Sequence, residues 1–281
     1  MVNFNGNILN NETLFLNETN RGLKYGDALF ETIRVVNSKI FFWEDHYLRL
    51  MASMRILRME IPMNFTMEFL QEEILKTIER NGLSKSPARI RFTVFRDTDG
   101  LYTPDRNTVA YIMEAKELES VFYTLDTSAY EVELYKDHWV NAGLLSTLKT
   151  SNKIINVISG IFAKENDYAN CLLLNQNKSV VEAINGNIFL VSGNTIKTPP
   201  LEDGCLNGIL RKQLLKIIEK TEAYVLEETS ISPFELQKAD ELFITNAISG
   251  IQPISKYRKK EYKSEVANDL LGKLNAMARL S

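Results

Sequence analysis

Residues 21–34 read Arg-Gly-Leu-Lys-Tyr-Gly-Asp-Ala-Leu-Phe-Glu-Thr-Ile-Arg and run into the first long strand candidate of the chain. The apolar and β-branched residues over 29–36 favour a strand, and a second strand is predicted over 39–43. Asn37-Ser38 lies between them and is typical of a tight turn. A β-sheet therefore begins close to the N-terminus.

Helices and further strands are predicted on both sides of this stretch. A helix is predicted over about 44–58, because its apolar residues recur at helical spacing. A second helix, over about 66–80, begins at a Thr66 cap and ends at Asn81-Gly82. Strands are predicted over 4–9, 13–16, 89–94 and 108–113, the first two as a hairpin around an Asn-rich turn.

The second half of the chain alternates strands with helices. Strands are predicted near 129–135, 171–174, 179–182, 186–191 and 222–227, and helices near 151–166 and 208–219. This interleaving favours an α+β or α/β class. The charged stretch 114–120 has no apolar stripe and is the best linker candidate. The predicted organisation is a smaller α/β domain over 1–115, a linker over 116–128 and a larger C-terminal domain over 129–281.

Length and composition narrow the class of protein. The chain has 281 residues, a formal net charge of -3 and two cysteines. The charge argues against a nucleic-acid or anionic-membrane partner. The cysteines, Cys171 and Cys205, lack metal-ligand spacing, so we expect no metal site and a reducing, cytoplasmic location. No apolar run is long enough to span a membrane.

Three local patterns could bind an anion, although each has a simpler structural explanation. Residues 203–211 place a glycine-containing loop at the start of a helix, where free backbone N–H groups bind phosphate, or where Asn207 is a plain N-cap. Residues 243–250 run from a strand into small polar residues or a simple turn. Arg49 could reach a phosphate or be solvated. His46 and His138 are more often structural hydrogen-bonders than catalysts.

In this order, the patterns resemble the class IV aminotransferases, which are fold-type IV pyridoxal-phosphate enzymes. The resemblance covers nearly the whole chain. The family includes branched-chain aminotransferases, D-amino-acid aminotransferases and aminodeoxychorismate lyase. The matching segments are 25–34, the helix ending in Arg49-Leu50, 148–152, Val181-Glu182-Ala183 with Gly186 to Phe189, Gly208-Ile209, and Thr245-Asn246 ahead of Pro253-Ile254. It implies a two-domain fold like that of D-amino-acid aminotransferases.

The resemblance also implies pyridoxal 5'-phosphate as cofactor and a role for each matching residue. Lys149 would bond the cofactor and move the substrate proton. A free lysine has a pKa of about 10.4, so burial beside the cofactor should lower that pKa. Glu182 would keep the pyridine nitrogen protonated. The phosphate would be bound by Arg49, Gly208, Ile209, Leu210, Asn246 and Ala247.

Two positions depart from the pattern of the family. Leu210 stands where many relatives have a threonine, so a hydroxyl contact to the phosphate is lost while backbone donation survives. Lys153 stands roughly where branched-chain aminotransferases have a tyrosine. This weakens the branched-chain assignment, and Lys153 either favours an anionic substrate group or is solvated.

Two reactions share this machinery, because both pass through an external aldimine and loss of a proton to Lys149. The segments 30–34 and 149–152, and Asn246-Ala247, favour an aminodeoxychorismate lyase that forms p-aminobenzoate and pyruvate in folate biosynthesis. The alternative is a branched-chain or D-amino-acid aminotransferase of amino-acid metabolism. A third hypothesis is a non-catalytic binding protein on the same scaffold, which intact Lys149 and Glu182 disfavour.

The resemblance further implies a homodimer that acts on a small amino substrate. The loop 96–106 is either a substrate loop or a plain hairpin loop. The residues predicted to contact substrate are Tyr25, Thr32, Arg96, Tyr102, Arg106 and Lys153.

Overall fold

The computed structural model describes residues 1–280, which form two compact units. Unit 1 comprises Met1–Val121 and Lys149–Asn152, and unit 2 comprises Phe122–Leu148 and Lys153–Leu280. Ser281, the last residue of the predicted C-terminal domain, lies outside the described residues. The change from unit 1 to unit 2, between Val121 and Phe122, lies within the stretch 116–128 that was predicted to be a linker. The last strand of the first sheet continues to Glu117, into that stretch.

Unit 1 is a six-stranded sheet with two long helices. Its elements are β1 Val2–Phe4, β2 Asn7–Leu9, α1 Arg21–Tyr25, β3 Ala28–Val36, β4 Lys39–Ile40, α2 Trp43–Ile56, α3 Met67–Arg80, β5 Ala88–Arg96 and β6 Val109–Glu117. The strand order is β2-β1-β6-β5-β3-β4, with every pair antiparallel. The helix α2 contacts β3, and α3 contacts β6. Strands β3 and β5 bury apolar side chains, including Ile33, Ile90 and Phe92.

The first hairpin turns earlier than the sequence analysis predicts. β1 and β2 pair around Asn5-Gly6, whose φ angles are 47° and 84°. Two successive positive φ angles define the two-residue turn for which Asn-Gly is the preferred sequence. The predicted strand over 13–16 is wrong, since these residues form no strand. The turn at Asn37-Ser38 is confirmed, with φ angles of 49° and 62°.

The segment Lys149–Asn152 extends the sheet of unit 1, although it lies beyond the predicted linker in sequence. The Phe30 N–H donates to the Lys149 carbonyl at 2.9 Å, and the Ser151 N–H donates to the Ala28 carbonyl at 2.9 Å. Leu29 and Thr150 form an antiparallel bridge. Backbone pairing thus attaches the lysine segment to the first residues of β3.

Unit 2 contains the longer, mixed sheet. Its elements are β7 Glu131–Val140, α4 Ile154–Glu165, β8 Asn170–Asn175, β9 Val180–Ala183, β10 Gly186–Ser192, β11 Thr195–Thr198, α5 Ile209–Glu219, β12 Val225–Glu228, α6 Pro233–Leu236, β13 Glu241–Asn246, β14 Gly250–Ile254, β15 Lys256–Tyr257, β16 Lys260–Glu261 and α7 Glu265–Leu280. The strand order is β12-β11-β10-β9-β8-β7-β15-β16, and β13 pairs with β10 and β14. The pairs β7–β8, β7–β15 and β11–β12 are parallel, and the others are antiparallel.

Two apolar clusters stabilise unit 2. One includes Val132, Leu172, Ile188 and Leu242, and the other includes Tyr135, Leu173 and Val181. Because Leu172 and Leu173 are successive residues of β8, they point to opposite faces of the sheet, and both faces are buried. Within residues 1–280, no helix has the length and apolar character needed to cross a membrane.

Candidate cofactor site

Strand β3 presents two chemically different faces in unit 1. Side chains alternate along a strand, so Phe30 and Thr32 lie on one face and Glu31 on the other. Glu31 is buried, and the helix α2 contacts β3. Phe30 therefore faces Lys149 on one side of the strand, and Glu31 belongs to an ionic cluster on the other side.

The Glu31 carboxylate holds two residues of α2. The Arg49 Nε donates to Glu31 Oε1 at 2.8 Å, and the Arg49 Nη2 pairs with Glu31 Oε2. The His46 Nδ1 lies 2.7 Å from Glu31 Oε2. His46 and Arg49 are three residues apart, which places them on the same side of the helix. Burial raises the pKa of Glu31, but Arg49 and His46 outweigh it and lower that pKa to about 2.

His46 is a neutral imidazole in this cluster. Burial lowers the pKa of His46 more than the Glu31 carboxylate raises it, and the charges of Arg49 and Lys149 lower it further. A neutral ring bound to a carboxylate carries its proton on Nδ1. The Nε2 atom is buried, without a hydrogen-bond partner among residues 1–280. The prediction that His46 is a structural hydrogen-bonder is confirmed.

Lys149 lies over the aromatic ring of Phe30. Its Nζ is 4.5 Å from the ring centroid, and the Arg91 Cζ is 4.0 Å from the same centroid. The side chain of Lys149 is half-buried rather than fully buried. The Asn152 Nδ2 donates to the Gly26 carbonyl at 3.2 Å. Backbone pairing and Asn152 thus fix the lysine segment next to the segment 25–34.

In unit 2, a buried carboxylate fixes the loop before α5. Glu182 Oε2 accepts from the Leu206 N–H at 2.9 Å. The Asn187 Nδ2 donates to the Leu206 carbonyl at 2.8 Å. Glu182 and Asn187 are directly paired on β9 and β10. Two neighbouring strands therefore hold the backbone N–H and the carbonyl of one residue, Leu206.

The helix α5 begins without a side-chain cap. Its N-cap is Gly208, so the alternative that Asn207 caps the helix is wrong. The first N–H groups of a helix have no acceptor within it, and they bind phosphate well. A Cβ on Gly208 would collide with Asn187 Oδ1. The sequence thus keeps the N–H groups of Ile209 and Leu210 unobstructed by a cap side chain.

The turn after β13 is held by hydrogen bonds from two side chains, those of Asn246 and Tyr123. Asn246 Oδ1 accepts from the backbone N–H groups of Ile248 and Ser249 at 3.0 and 2.9 Å. The Tyr123 hydroxyl donates to the Ala247 carbonyl at 3.0 Å. Tyr123 was not predicted from the sequence, and only its contact with this turn reveals it.

The residues predicted to contact substrate fall into different environments. The rings of Tyr25 and Tyr102 lie 5.6 Å apart, and Tyr102 and Arg106 are exposed. Thr32 lies half-buried on the Phe30 face of β3, and Lys153 is the N-cap of α4. Arg96 is buried. Its guanidinium binds Asp27 Oδ2 at 2.9 Å, Asn107 Oδ1 at 2.6 Å and the carbonyls of Leu57 and Arg58 at 2.8 and 3.2 Å, which gives it a structural role.

The amino-transferase class IV family matches residues 28–257. The chain belongs to this family. As a class IV aminotransferase, it is a pyridoxal-phosphate-dependent enzyme. The residues of each unit are chemically suited to pyridoxal phosphate. Unit 1 has the Lys149 amine beside the ring of Phe30. Unit 2 has the buried carboxylate of Glu182 and the uncapped N-terminus of α5.

Similar proteins include both transaminases and a lyase. A D-alanine aminotransferase of Listeria monocytogenes is 27% identical, over 89% of this chain and 85% of the relative. The branched-chain aminotransferase of Thermoproteus uzoniensis superimposes with a TM-score of 0.86 at 24% identity, over 97% of this chain and 92% of that chain. The 4-amino-4-deoxychorismate lyase of Pseudomonas aeruginosa gives a TM-score of 0.82 at 24% identity, over 98% of both chains.

Proposed function

We propose that this class IV enzyme converts aminodeoxychorismate to p-aminobenzoate and pyruvate. The observation that carries the reaction chemistry is the Lys149 Nζ, 4.5 Å from the Phe30 ring on a segment fixed to β3. The segments 30–34 and 149–152, and Asn246-Ala247, favour the lyase among the reactions of the family. This assignment places the enzyme in folate biosynthesis.

We propose that the predicted residues hold pyridoxal phosphate by complementary charge. Arg49 binds the phosphate, and Glu31 keeps its guanidinium oriented. The N–H groups of Ile209 and Leu210 donate to the phosphate at the start of α5, with Gly208, Asn246 and Ala247 beside them. Glu182 accepts a hydrogen bond from the ring nitrogen, which keeps that nitrogen protonated.

Lys149 then acts on one substrate proton. Bound pyridoxal phosphate withdraws electrons from the carbon that bears the substrate amine, which makes the proton on that carbon acidic. The Lys149 Nζ takes this proton in its neutral form. In the lyase, the C–O bond to the enolpyruvyl group breaks, the ring becomes aromatic, and the released enolpyruvate takes up a proton to become pyruvate. We propose Tyr102, Arg106 and Lys153 as groups that meet the substrate carboxylates, with Tyr25 and Thr32 beside them. Arg96 would act through the position of its loop.

Amino-acid transamination is the second candidate. The name of the Listeria relative, a D-alanine aminotransferase, favours it. In that reaction, Lys149 would move the same substrate proton, and the substrate amino group would pass to a keto acid, so that one keto acid and one new amino acid are released. The same residues would hold the cofactor, so only the products distinguish the two candidates.

Product analysis tests the proposal. Purified enzyme with aminodeoxychorismate should release p-aminobenzoate and pyruvate in equal amounts, and Lys149→Ala should abolish both. Borohydride should fix the cofactor to the peptide that contains Lys149. Conversion of the bound cofactor to its amine form by D-alanine, L-glutamate or branched-chain amino acids, with no p-aminobenzoate, would replace the lyase by the transaminase.

We also propose a homodimer in the cytoplasm. Ile154, Val157 and Ile161 are exposed apolar residues at helical spacing along α4, and Leu144 and Leu145 are exposed close by in sequence. Such a stripe is typical of a surface that a second protein chain covers. Both cysteines are free, which is consistent with a reducing compartment.

A further inference from the structure

A cavity of about 670 Å³ lies in unit 2 beside the second half of β7 and the end of β8. β15, β7 and β8 are neighbours, and β7 is parallel to both others. The cavity is lined by the second half of β7, by the end of β8 and by the residues that end β15. None of the residues predicted to hold pyridoxal phosphate lines it.

Aromatic side chains provide much of the cavity wall. Trp139 is 53% exposed and Phe234 is 78% exposed, although both are large apolar residues. Tyr135 and Tyr257 line the same cavity from buried positions. Exposed aromatic residues gathered at a concave surface are typical of a binding site for a flat, apolar group.

The charged residues of the cavity are mostly basic. Lys136, Lys178 and Arg258 line it, against one carboxylate, Glu235. Glu235 is already engaged, because it pairs with Lys197 at 3.2 Å and accepts from the Ser232 N–H at 2.9 Å. Arg258 lies 3.5 Å from Glu133. Lys136 and Lys178 are exposed, and no ion pair within residues 1–280 engages them. The cavity therefore complements an anion.

Tyr257 supplies a polar group without a protein partner. Its side chain is fully buried and lines the cavity, and its hydroxyl makes no hydrogen bond within residues 1–280. Burial raises the pKa of Tyr257 to about 12, so the hydroxyl keeps its proton at neutral pH. Buried hydroxyls in proteins nearly always have a partner, so this hydroxyl is an unusual group, and it lies behind the cavity wall rather than on its surface.

We propose that this cavity binds a small aromatic anion, separately from the cofactor. The aromatic ring packs on Trp139 and Phe234. The carboxylate or phosphate of the ligand pairs with Lys136 and Lys178. The volume suits a ligand from the size of an aromatic amino-acid derivative to that of a nucleotide, because small-molecule sites span roughly 300–1,000 Å³. Carboxylates and phosphates share this chemistry, and the experiment separates them.

Titration of the cofactor-loaded enzyme with two probes tests the site. Indole-3-acetate represents the carboxylates and AMP represents the phosphates, while uncharged indole and ribose 5-phosphate each lack one of the two groups. Binding is measured by calorimetry and by tryptophan fluorescence. The chain has two tryptophans, and Trp43 is buried in unit 1, so the change in fluorescence should disappear in Trp139→Phe. At least one anionic probe should bind more tightly than its matched control.

A charge variant with a matched control completes the test. The double variant Lys136→Met/Lys178→Met should raise the Kd of the anionic probe by about tenfold or more, because both charge-assisted contacts are lost. Lys164→Met/Lys220→Met removes the same charge from exposed positions outside the cavity and should leave the Kd unchanged. Absence of binding by both anionic probes, equal binding of indole, or equal loss in both double variants would overturn the proposal. The visible spectrum of the cofactor should not shift during the titration.

Discussion

At the scale of a single residue, the Glu31 carboxylate binds His46 and Arg49 of α2. Its pKa is lowered from 4.5 to about 2, so the folded state binds a proton less readily than the unfolded state. The carboxylate therefore stabilises the fold above pH 4.5, and this stabilisation is lost as the pH falls toward 2. A shift of this size corresponds to about 3 kcal/mol.

We expect Glu31→Gln to lower the free energy of unfolding by about 3 kcal/mol at neutral pH, because Arg49 stays buried beside a neutral partner. The difference from the native protein should shrink as the pH falls from 4.5 to 2, because the unfolded native chain takes up a proton at Glu31 in this range and the folded protein does so only near pH 2. Denaturant unfolding across this range measures both effects. Glu117→Gln, at an exposed position of β6, should change neither quantity. A difference that is constant with pH would contradict the charge argument.

Gly208 is required because of space rather than φ, since its φ of -72° suits any residue. We expect Gly208→Ala to weaken retention of pyridoxal phosphate, because the new methyl group would displace Asn187 and the loop that Asn187 holds. Dialysis followed by absorbance measures the bound cofactor. Gly272→Ala, in α7 with no atom near the new methyl group, should retain the cofactor and stabilise the protein by about 0.5–1 kcal/mol. Equal cofactor retention in both variants would remove the steric argument.

Residue motifs suggested which residues form the site, but not the contacts that hold those residues in place. Lys149 and Glu182 stand in segments with a recognisable order along the chain. The partnership of Glu31 with His46 and Arg49 depends on α2 packing on one face of β3, which a local motif does not encode. Asn187 and Tyr123 were missed for the same reason, since each acts on a loop far away in sequence.

At the scale of elements, the cap of α3 is a local feature that the sequence predicts correctly. The Thr66 hydroxyl accepts from the Phe69 N–H at 3.2 Å. We expect Thr66→Ala to lower the free energy of unfolding by about 1 kcal/mol, because one N-terminal N–H loses its acceptor. Thr66→Ser keeps the hydroxyl and should restore most of this stability. Thermal or denaturant unfolding of the three proteins provides the comparison, and equal losses in Ala and Ser would exclude capping as the cause.

Elements with strong local signals were predicted, and the others depend on pairing. The helices α2, α3 and α5 have regular apolar spacing, and their bounds agree with the sequence within a few residues. The strands β11 and β14 were missed, because short strands within a sheet are defined by their neighbours. The helix α7 was missed although its buried Leu270, Leu271 and Leu274 recur at helical spacing, so a closer count of periodicity would have found it.

At the scale of the whole molecule, chain order and spatial order differ. The sequence predicted a single linker over 116–128, whereas the chain returns to unit 1 at Lys149–Asn152 after entering unit 2. The segment Lys149–Asn152 has only four residues, so its amino-acid composition does not reveal that it belongs to unit 1. Their backbone bonds to β3 are long-range pairs, which hydrophobic periodicity does not detect.

The exposed apolar stripe of α4 predicts that the protein forms a dimer through this helix. Ile154, Val157 and Ile161 are 68%, 54% and 52% exposed, which is costly for a surface in contact with water. We expect the native protein to sediment as a dimer and Val157→Glu to shift it toward monomer at micromolar concentration, because the variant buries a charge in the interface. Circular dichroism should be unchanged, since the side chain is exposed. Lys164→Glu, near the end of the same helix, changes charge outside the stripe and should remain dimeric. A native monomer, or a Val157→Glu protein that dimerises as tightly as the native one, would show that α4 is not the interface.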